Sequence, residues 1–377
     1  MADPVQRILV TGAHGFIGRN LTVRCGEGSR ITVIPFGRGD DPARLPALMA
    51  EADAIIHLAG ENRPKDEASF DRVNAGLTRT LCDAVRSAVA GSSRRIPLIL
   101  ASSIQAERDN PYGRSKLAAE EAVKALAEET GNPAVIFRLP GVFGKWCRPN
   151  YNSVVATFCH NIARGLPIQI NDPDARLRLV YIDDVVTALI AAVENAAKGV
   201  SFGTVTPEYE ITLDELAVQI RAFAASRETL VTERTGTGLV RALHATYLSY
   251  LPVEDFSYKV PQYADPRGVF VEMLKTPDCG QFSFFTAHPG VTRGGHYHHS
   301  KTEKFLVIRG EALFRFRHLL TGEHVELRTS GAEAQIVETV PGWSHDITNI
   351  GTDEMIVMLW ANEIFDRARP DTIPSKV

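Results

Sequence analysis

The feature that most limits what this chain can fold into is a change of hydrophobic rhythm about two thirds of the way along it. Up to about residue 245, short apolar runs without alternation (residues 8–10, 31–36, 54–59, 96–101 and 134–139) are separated by helical stretches. The clearest of these, 115–129, is dense in Ala, Glu, Lys and Leu. Such runs suit strands buried on both faces, and strand–helix alternation predicts an α/β fold with a doubly wound parallel sheet. After about residue 258 the helical stretches stop. Runs at 282–285, 304–308, 312–316, 334–340 and 355–360, bounded by Gly, Pro, Asp and Thr, have the spacing of an all-β barrel or sandwich. A chain of 377 residues exceeds one ordinary core. The rhythm divides it into a domain over 1–245, a linker over 246–258, and a second domain over 259–377. The aromatic content of 246–258 predicts a packed linker.

The first strand runs directly into Thr11-Gly12-Ala13-His14-Gly15-Phe16-Ile17-Gly18, a GxxGxxG spacing that opens a helix. Glycine removes Cβ where the backbone must approach a pyrophosphate, and the helix N-terminus supplies free N–H groups and a positive dipole. Gly12, Gly15, Phe16, Ile17 and Gly18 are therefore candidate dinucleotide contacts, joined by Leu58, Ala59 and Gly60 after the third strand. His57 before them reads as structural. An acid at the end of the second strand would select NAD, but that strand ends Phe36-Gly37-Arg38, with Asp40 and Asp41 later. Arg38 pairing a 2′-phosphate favours NADPH; the alternative is a solvated Arg38 with Asp40 on the ribose.

Tyr112-Gly113-Arg114-Ser115-Lys116 is YxxxK at the start of a helix, nine residues after Ser103. One turn brings Tyr112 and Lys116 to one face. A tyrosine pKa near 10 is too high for ready proton exchange at neutral pH, and a neighbouring ammonium is expected to lower it. A serine hydroxyl completes a site for proton transfer to a carbonyl, with Ser102 and Ser103 both eligible.

In the last third, Gly290, His296, His298, Glu303 and Gly310 occupy every fixed position of GX5HXHX4EX6G, the first cupin motif. A partial second motif supplies His345, through Gly342, His345 and Asn349, with Pro341 before it. Alternation predicts His296 and His298 on one face of a strand, with Glu303 and His345 from later strands. Three imidazoles and a carboxylate suit one divalent metal. Zinc is the first choice, with iron, manganese and nickel open. The alternative is a metal-free barrel face. His288 and His299 read as outside the ligand set.

A net charge of −4 gives no basic surplus for nucleic acid or an anionic membrane. No apolar run nears the roughly 20 residues of a membrane span, and no secretory leader pattern opens the chain. Five scattered cysteines, none in CxxC spacing, predict a cytoplasmic protein with reduced thiols.

With both motif sets in place, residues 1–245 resemble the extended short-chain dehydrogenases that act on nucleotide sugars. This implies that Ser103 binds the substrate carbonyl, Tyr112 is the acid/base, and Lys116 holds the cofactor ribose. Tyr181-Ile182-Asp183-Asp184-Val185 resembles that family's YxDDV support segment. Its sugar dehydratases carry Asp-Glu where this chain has Ile104-Gln105, which favours hydride transfer over dehydration. The whole chain resembles the CapF and WbjC family, through segments such as Asp109-Asn110-Pro111-Tyr112-Gly113, Pro149-Asn150-Tyr151-Asn152-Ser153 and Tyr247-Leu248-Ser249-Tyr250-Leu251-Pro252. The resemblance implies a homodimer in which the cupin half epimerises C3 of a UDP-4-keto-6-deoxy-N-acetylhexosamine. The reductase half then reduces C4 with NADPH, giving a UDP-2-acetamido-2,6-dideoxy-talose for capsule or lipopolysaccharide synthesis. The competing expectation keeps the reductase and makes the cupin a non-catalytic, metal-stabilised assembly module.

Overall fold

In the computed structural model, residues 6–28, 30–63, 66, 68–261, 263–265, 268–270, 273–274, 276, 280–363 and 368–377 are described. Strands β1 (Gln6–Thr11), β2 (Ile31–Phe36), β3 (Ala54–His57), β4 (Leu98–Ser103) and β5 (Ala134–Leu139) are joined by Val200–Gly203 in one six-stranded sheet. Its order is β2-β1-β3-β4-β5, with Val200–Gly203 beyond β5, and the pairings are parallel. Ile8, Leu9 and Val10 are wholly buried, as a strand covered on both faces requires. The core on one face gathers Leu9, Ile55, Leu81, Val85, Leu98, Val123 and Ile136. This is the Rossmann-type arrangement that strand–helix alternation predicts.

The helix Pro111–Thr130 shows why its sequence folds where it does. Asn110 caps it by accepting the Gly113 N–H at 2.8 Å, Pro111 fills the first turn, and Gly131 ends it in the left-handed region. Its inner face buries Ala119, Val123, Leu126 and Ala127.

The second part is all-β in its later stretch. One antiparallel sheet runs Ser257–Lys259, Gln335–Glu338, Glu303–Arg309, Met355–Ala361, Gln281–Ala287. The other runs His324–Ser330, Glu311–His318, Trp343–Asn349, Thr292–Tyr297, Ile373–Pro374. These two sheets form the cupin-like barrel.

The chain separates into two compact units: 1–153 with 177–210, and 154–176 with 211–377. The helices Val154–Ile162, Leu213–Thr229 and Gly238–Leu248 thus group with the barrel, although 154–245 was expected to belong to the first domain. The expected linker is the end of Gly238–Leu248, a short turn, and the edge strand Ser257–Lys259, with Tyr247, Leu248, Tyr250, Leu251 and Phe256 buried. A buried polar cluster ties these pieces to the barrel. Lys304 donates to Glu338 at 2.5 Å and to the Tyr258 hydroxyl at 2.7 Å, and Arg227 of Leu213–Thr229 pairs with Glu338. No described helix is long and apolar enough to cross a membrane. Cys25, Cys82, Cys147 and Cys159 are free thiols, and Cys279 lies outside the described residues.

Candidate active site and candidate metal centre

The turn after β1 is built around two glycines. A Cβ on Gly12, whose φ is +70°, would lie 2.8 Å from the Ala59 nitrogen, and one on Gly18 would lie 2.3 Å from the Gly12 carbonyl oxygen. Helix α1 (Phe16–Gly26) begins there with Gly15 as its N-cap and no side-chain cap, so the first-turn N–H groups of the Phe16–Ile17 stretch remain for a ligand. Leu58 and Ala59 are held against this turn, donating to the Thr11 carbonyl at 3.1 Å and the Thr11 hydroxyl at 3.2 Å. His57 bridges Thr11 (2.5 Å) and Thr78 (2.8 Å) in the core, and burial, aided by Lys116, lowers its pKa to about 3. It is a neutral structural residue.

At the end of β2, Asp40 accepts the Gly37 N–H at 2.8 Å and pairs with Arg44 at 2.6 Å, while Asp41 caps the next turn through Ala43. The Arg38 side chain is 85% exposed, with Glu61 at 3.4 Å. Asp40 and Asp41 are thus engaged within their own turn, and Arg38 stays largely exposed beside Glu61.

β4 delivers both serines, and the structure separates them. The Ser102 hydroxyl donates to Glu120 at 2.5 Å and is buried, whereas Ser103 is hydrogen-bonded to Tyr112. Glu120 is completely buried and held bidentately by Arg138, at 3.0 and 2.7 Å. Lys116, one turn after Tyr112, donates to the Ala101 carbonyl at 3.0 Å, and a Cβ on Gly60 would come within 3.4 Å of its Nζ. Ser103, Tyr112, Lys116 and Gly60 therefore sit beside the glycine turn.

The electrostatics correct one expectation. Burial pushes the Tyr112 phenol up, with the Ser103 hydrogen bond opposing it, so the hydroxyl rests protonated. Burial also lowers Lys116 to about 8, with Glu120 pulling the other way. Two residues that the motifs did not single out complete the surroundings. Glu120 falls one turn beyond Lys116, a spacing readable in the sequence. Asn74 donates to the Ser115 hydroxyl at 2.9 Å and accepts the Glu61 N–H at 2.7 Å, and no local pattern marks it. In the YxDDV segment, Asp183 pairs at 2.7 Å with Lys145, which is buried.

In the barrel, His296, His298, Glu303 and His345 gather so that one ligand atom from each lies within 4.8 Å of the others. Thr292–Tyr297 pairs with Trp343–Asn349 and slips register between Gly294 and His296; Gly294 takes φ +99° there, and His296 comes opposite His345. His298 lies just past the strand end rather than within it, and its Nδ1 donates to the Asp371 main-chain oxygen. Its Nε2 is 3.1 Å from Glu303.

His345 is buried, and neither ring nitrogen has a hydrogen-bond partner; its Nε2 is 3.5 Å from Glu303. Burial, reinforced by His345 and His298, lowers His296 to about 3, and burial lowers His345 as well. Burial opposes ionisation of Glu303, yet His298, His345 and Lys301 hold its carboxyl well below the usual range. The His296 and His345 imidazoles, both held below their usual range, the two orphaned nitrogens of His345, His298 and the Glu303 carboxylate form a donor set that fits a divalent cation. The cluster opens on a cavity of about 190 Å³ lined by Phe285, Phe305, Phe314 and Phe316, with Arg293 also lining it. His288 is exposed, His299 packs on Tyr297, and neither joins the cluster.

Known proteins carry the same two parts. The NAD dependent epimerase/dehydratase family matches residues 8–206, and the polysaccharide biosynthesis C-terminal domain matches 263–373. A UDP-2-acetamido-2,6-beta-L-arabino-hexul-4-ose reductase of Pseudomonas aeruginosa is 58% identical over 372 residues, 99% of each chain. The crystal structure of the capsular polysaccharide assembling protein CapF from Staphylococcus aureus covers 98% of this chain and 100% of its own, at 40% identity and TM-score 0.66. The chain belongs to the CapF-like family. A UDP-glucose 4-epimerase of Thermotoga maritima, at 22% identity and TM-score 0.51 over 58% of this chain and 83% of its own, shares the fold of the family's N-terminal part.

Proposed function

We propose that this member of the family is a bifunctional nucleotide-sugar enzyme. In this reading the barrel epimerises C3 of a UDP-4-keto-6-deoxy-N-acetylhexosamine. The Rossmann-type unit then reduces C4 with NADPH to a UDP-2-acetamido-2,6-dideoxy-talose, in the cytoplasm and as a homodimer. The reading rests on two assembled sites in one chain whose full length matches a reductase named for a 4-keto sugar.

In the reductase site, bound NADPH supplies the hydride. The Gly12–Gly18 turn and the start of α1 take the pyrophosphate, and Arg38 takes the 2′-phosphate, the neighbouring Asp40 being engaged by Gly37 and Arg44. Ser103 orients the C4 carbonyl. Tyr112 gives its proton to the C4 oxygen as negative charge develops there, and its raised pKa keeps the phenol in the form that can donate. The Lys116 ammonium, buried and close to Gly60, holds the ribose and favours the phenolate left after transfer.

In the barrel, His296, His298, Glu303 and His345 would hold the metal, zinc in this reading, whose Lewis acidity stabilises charge on the keto oxygen. The phenylalanine lining of the cavity excludes water from that oxygen. Epimerisation precedes reduction, because the C3 proton is acidic only while C4 is a ketone.

The test is incubation with the UDP-4-keto sugar in D2O, with and without NADPH, read by NMR. Wild type should place deuterium at C3 without NADPH and yield reduced, epimerised product with it. His296→Ala should lose the C3 exchange. Exchange at the wild-type rate in His296→Ala would make the barrel an assembly module and leave only the reductase.

A further inference from the structure

We infer that the C-terminal segment centred on Asp371 is a positioning element for His298, presenting its Nε2 to the His/Glu cluster; this rests on reading that cluster as a metal centre. His298 needs such support, because Thr292–Tyr297 ends one residue before it and its main chain keeps only a long bond from the Gly342 N–H to its carbonyl, at 3.5 Å. What fixes its ring comes from 73 residues away. The Asp371 carboxylate accepts the main-chain N–H groups of His299 (2.9 Å), Ser300 (2.7 Å) and Lys301 (2.7 Å), and the Ser300 hydroxyl at 3.3 Å. The turn that follows His298 is thus closed around one side chain.

The main-chain oxygen of the same residue takes the Nδ1 proton of His298. A carbonyl oxygen only accepts, so this bond fixes the tautomer and leaves Nε2 facing Glu303 at 3.1 Å. Such an outer partner orients a ligating imidazole and raises its basicity.

The segment is itself anchored on the two strands that carry His296 and His345. Ile373 and Pro374 pair with Tyr297 and His296, and the Ser375 N–H donates to the Gly295 carbonyl at 2.8 Å. The Ser344 hydroxyl, beside His345, donates to the Ser375 carbonyl at 2.6 Å. From Glu311–His318, Arg317 grips the Ser375 hydroxyl at 3.0 Å and the Lys376 carbonyl at 2.7 Å. A single short segment therefore touches the supports of His296, His298 and His345.

The experiment measures Zn²⁺ affinity of the full-length protein by chelator competition, for wild type, Asp371→Asn and His298→Ala, alongside melting of each protein without metal. Asparagine keeps the size of the side chain but replaces an ionised, doubly accepting group by one that accepts through a single oxygen. Asp371→Asn should weaken Zn²⁺ binding by about 10- to 100-fold while the metal-free protein melts as wild type does. Should that variant lose metal-free stability, Arg317→Gln loosens the segment from its far end, and it too should bind Zn²⁺ more weakly. Wild-type affinity in a normally folded Asp371→Asn, or in Arg317→Gln where it is needed, overturns the inference while the metal reading stands. Failure of wild type to bind Zn²⁺ more tightly than His298→Ala overturns both.

Discussion

Replacing Lys116 by Met should destroy reduction and stabilise the ligand-free protein. The residue is 9% exposed, its ammonium faces the Ala101 carbonyl at 3.0 Å, and burial lowers its pKa from 10.5 to about 8. A lysine whose folded pKa lies below its unfolded one binds its proton less tightly when folded. The unfolded state then carries more protons between about pH 8 and 10.5, and stability rises with pH across that window. Below pH 8 the penalty is complete. At about 1.4 kcal/mol per pH unit it is on the order of 3 kcal/mol. Methionine keeps the aliphatic stem but leaves the Ala101 carbonyl short of one donor, a loss of about 1 kcal/mol. The net gain of about 2 kcal/mol at pH 7 corresponds to roughly 4–8 °C in the melting of this unit. The assay is thermal melting of both proteins from pH 6 to 10. The relevant transition is the one that NADPH raises in wild type, since a ligand stabilises the fold that binds it. The gap should be widest below pH 8 and narrow towards pH 10. A variant that melts at or below wild type at pH 7, or a gap indifferent to pH, refutes the reasoning.

Tyr112→Phe should abolish NADPH oxidation with the keto sugar and leave NADPH affinity within about twofold, as titrated by cofactor fluorescence; normal turnover would remove Tyr112 from the proton transfer. Arg38→Ala should raise the KM for NADPH about tenfold, the worth of one charge-assisted pair, and leave NADH kinetics unchanged. A wild-type preference between the two cofactors in that variant would place the 2′-phosphate elsewhere. Glu120→Gln should lower the NADPH-responsive melting transition by about 5 °C, because it strips a fully buried carboxylate from Arg138. The loss stays below that of a sealed ion pair because Arg138 also reaches Glu107 at 2.8 Å.

What the sequence made legible was whatever chemistry is packed into a few consecutive residues. Gly12 and Gly18 are six positions apart and meet within one turn of chain, so the motif and the steric need for it are the same fact. Tyr112 and Lys116 lie one helical turn apart, and the helix is announced by Asn110, Pro111 and Gly131. The cupin spacing delivered His296, His298, Glu303 and His345 to one cluster even though Pro341 precedes the second motif. Where the outcome depended on residues distant in sequence, the local pattern was silent or misleading. Only the buried Glu120 distinguishes Ser102 from Ser103, by taking the first hydroxyl and leaving the second to Tyr112. The expected lowering of the Tyr112 pKa assumed that a neighbouring ammonium would dominate, but burial raises it and outweighs the Ser103 hydrogen bond, and burial is a property of the packed fold. The grouping of 211–245 with the barrel rests on contacts between residues far apart in sequence, Arg227 meeting Glu338 111 residues further along and Asn362 donating to the Thr235 carbonyl among them. Asp371 is the sharpest case. It carries no motif, stands near the end of the chain, and finds its role only when Ile373 and Pro374 fold back along the strand that carries His296. Motifs therefore report the groups proposed to meet substrate or metal, while the residues that hold those groups in place are recruited from wherever the topology brings the chain past.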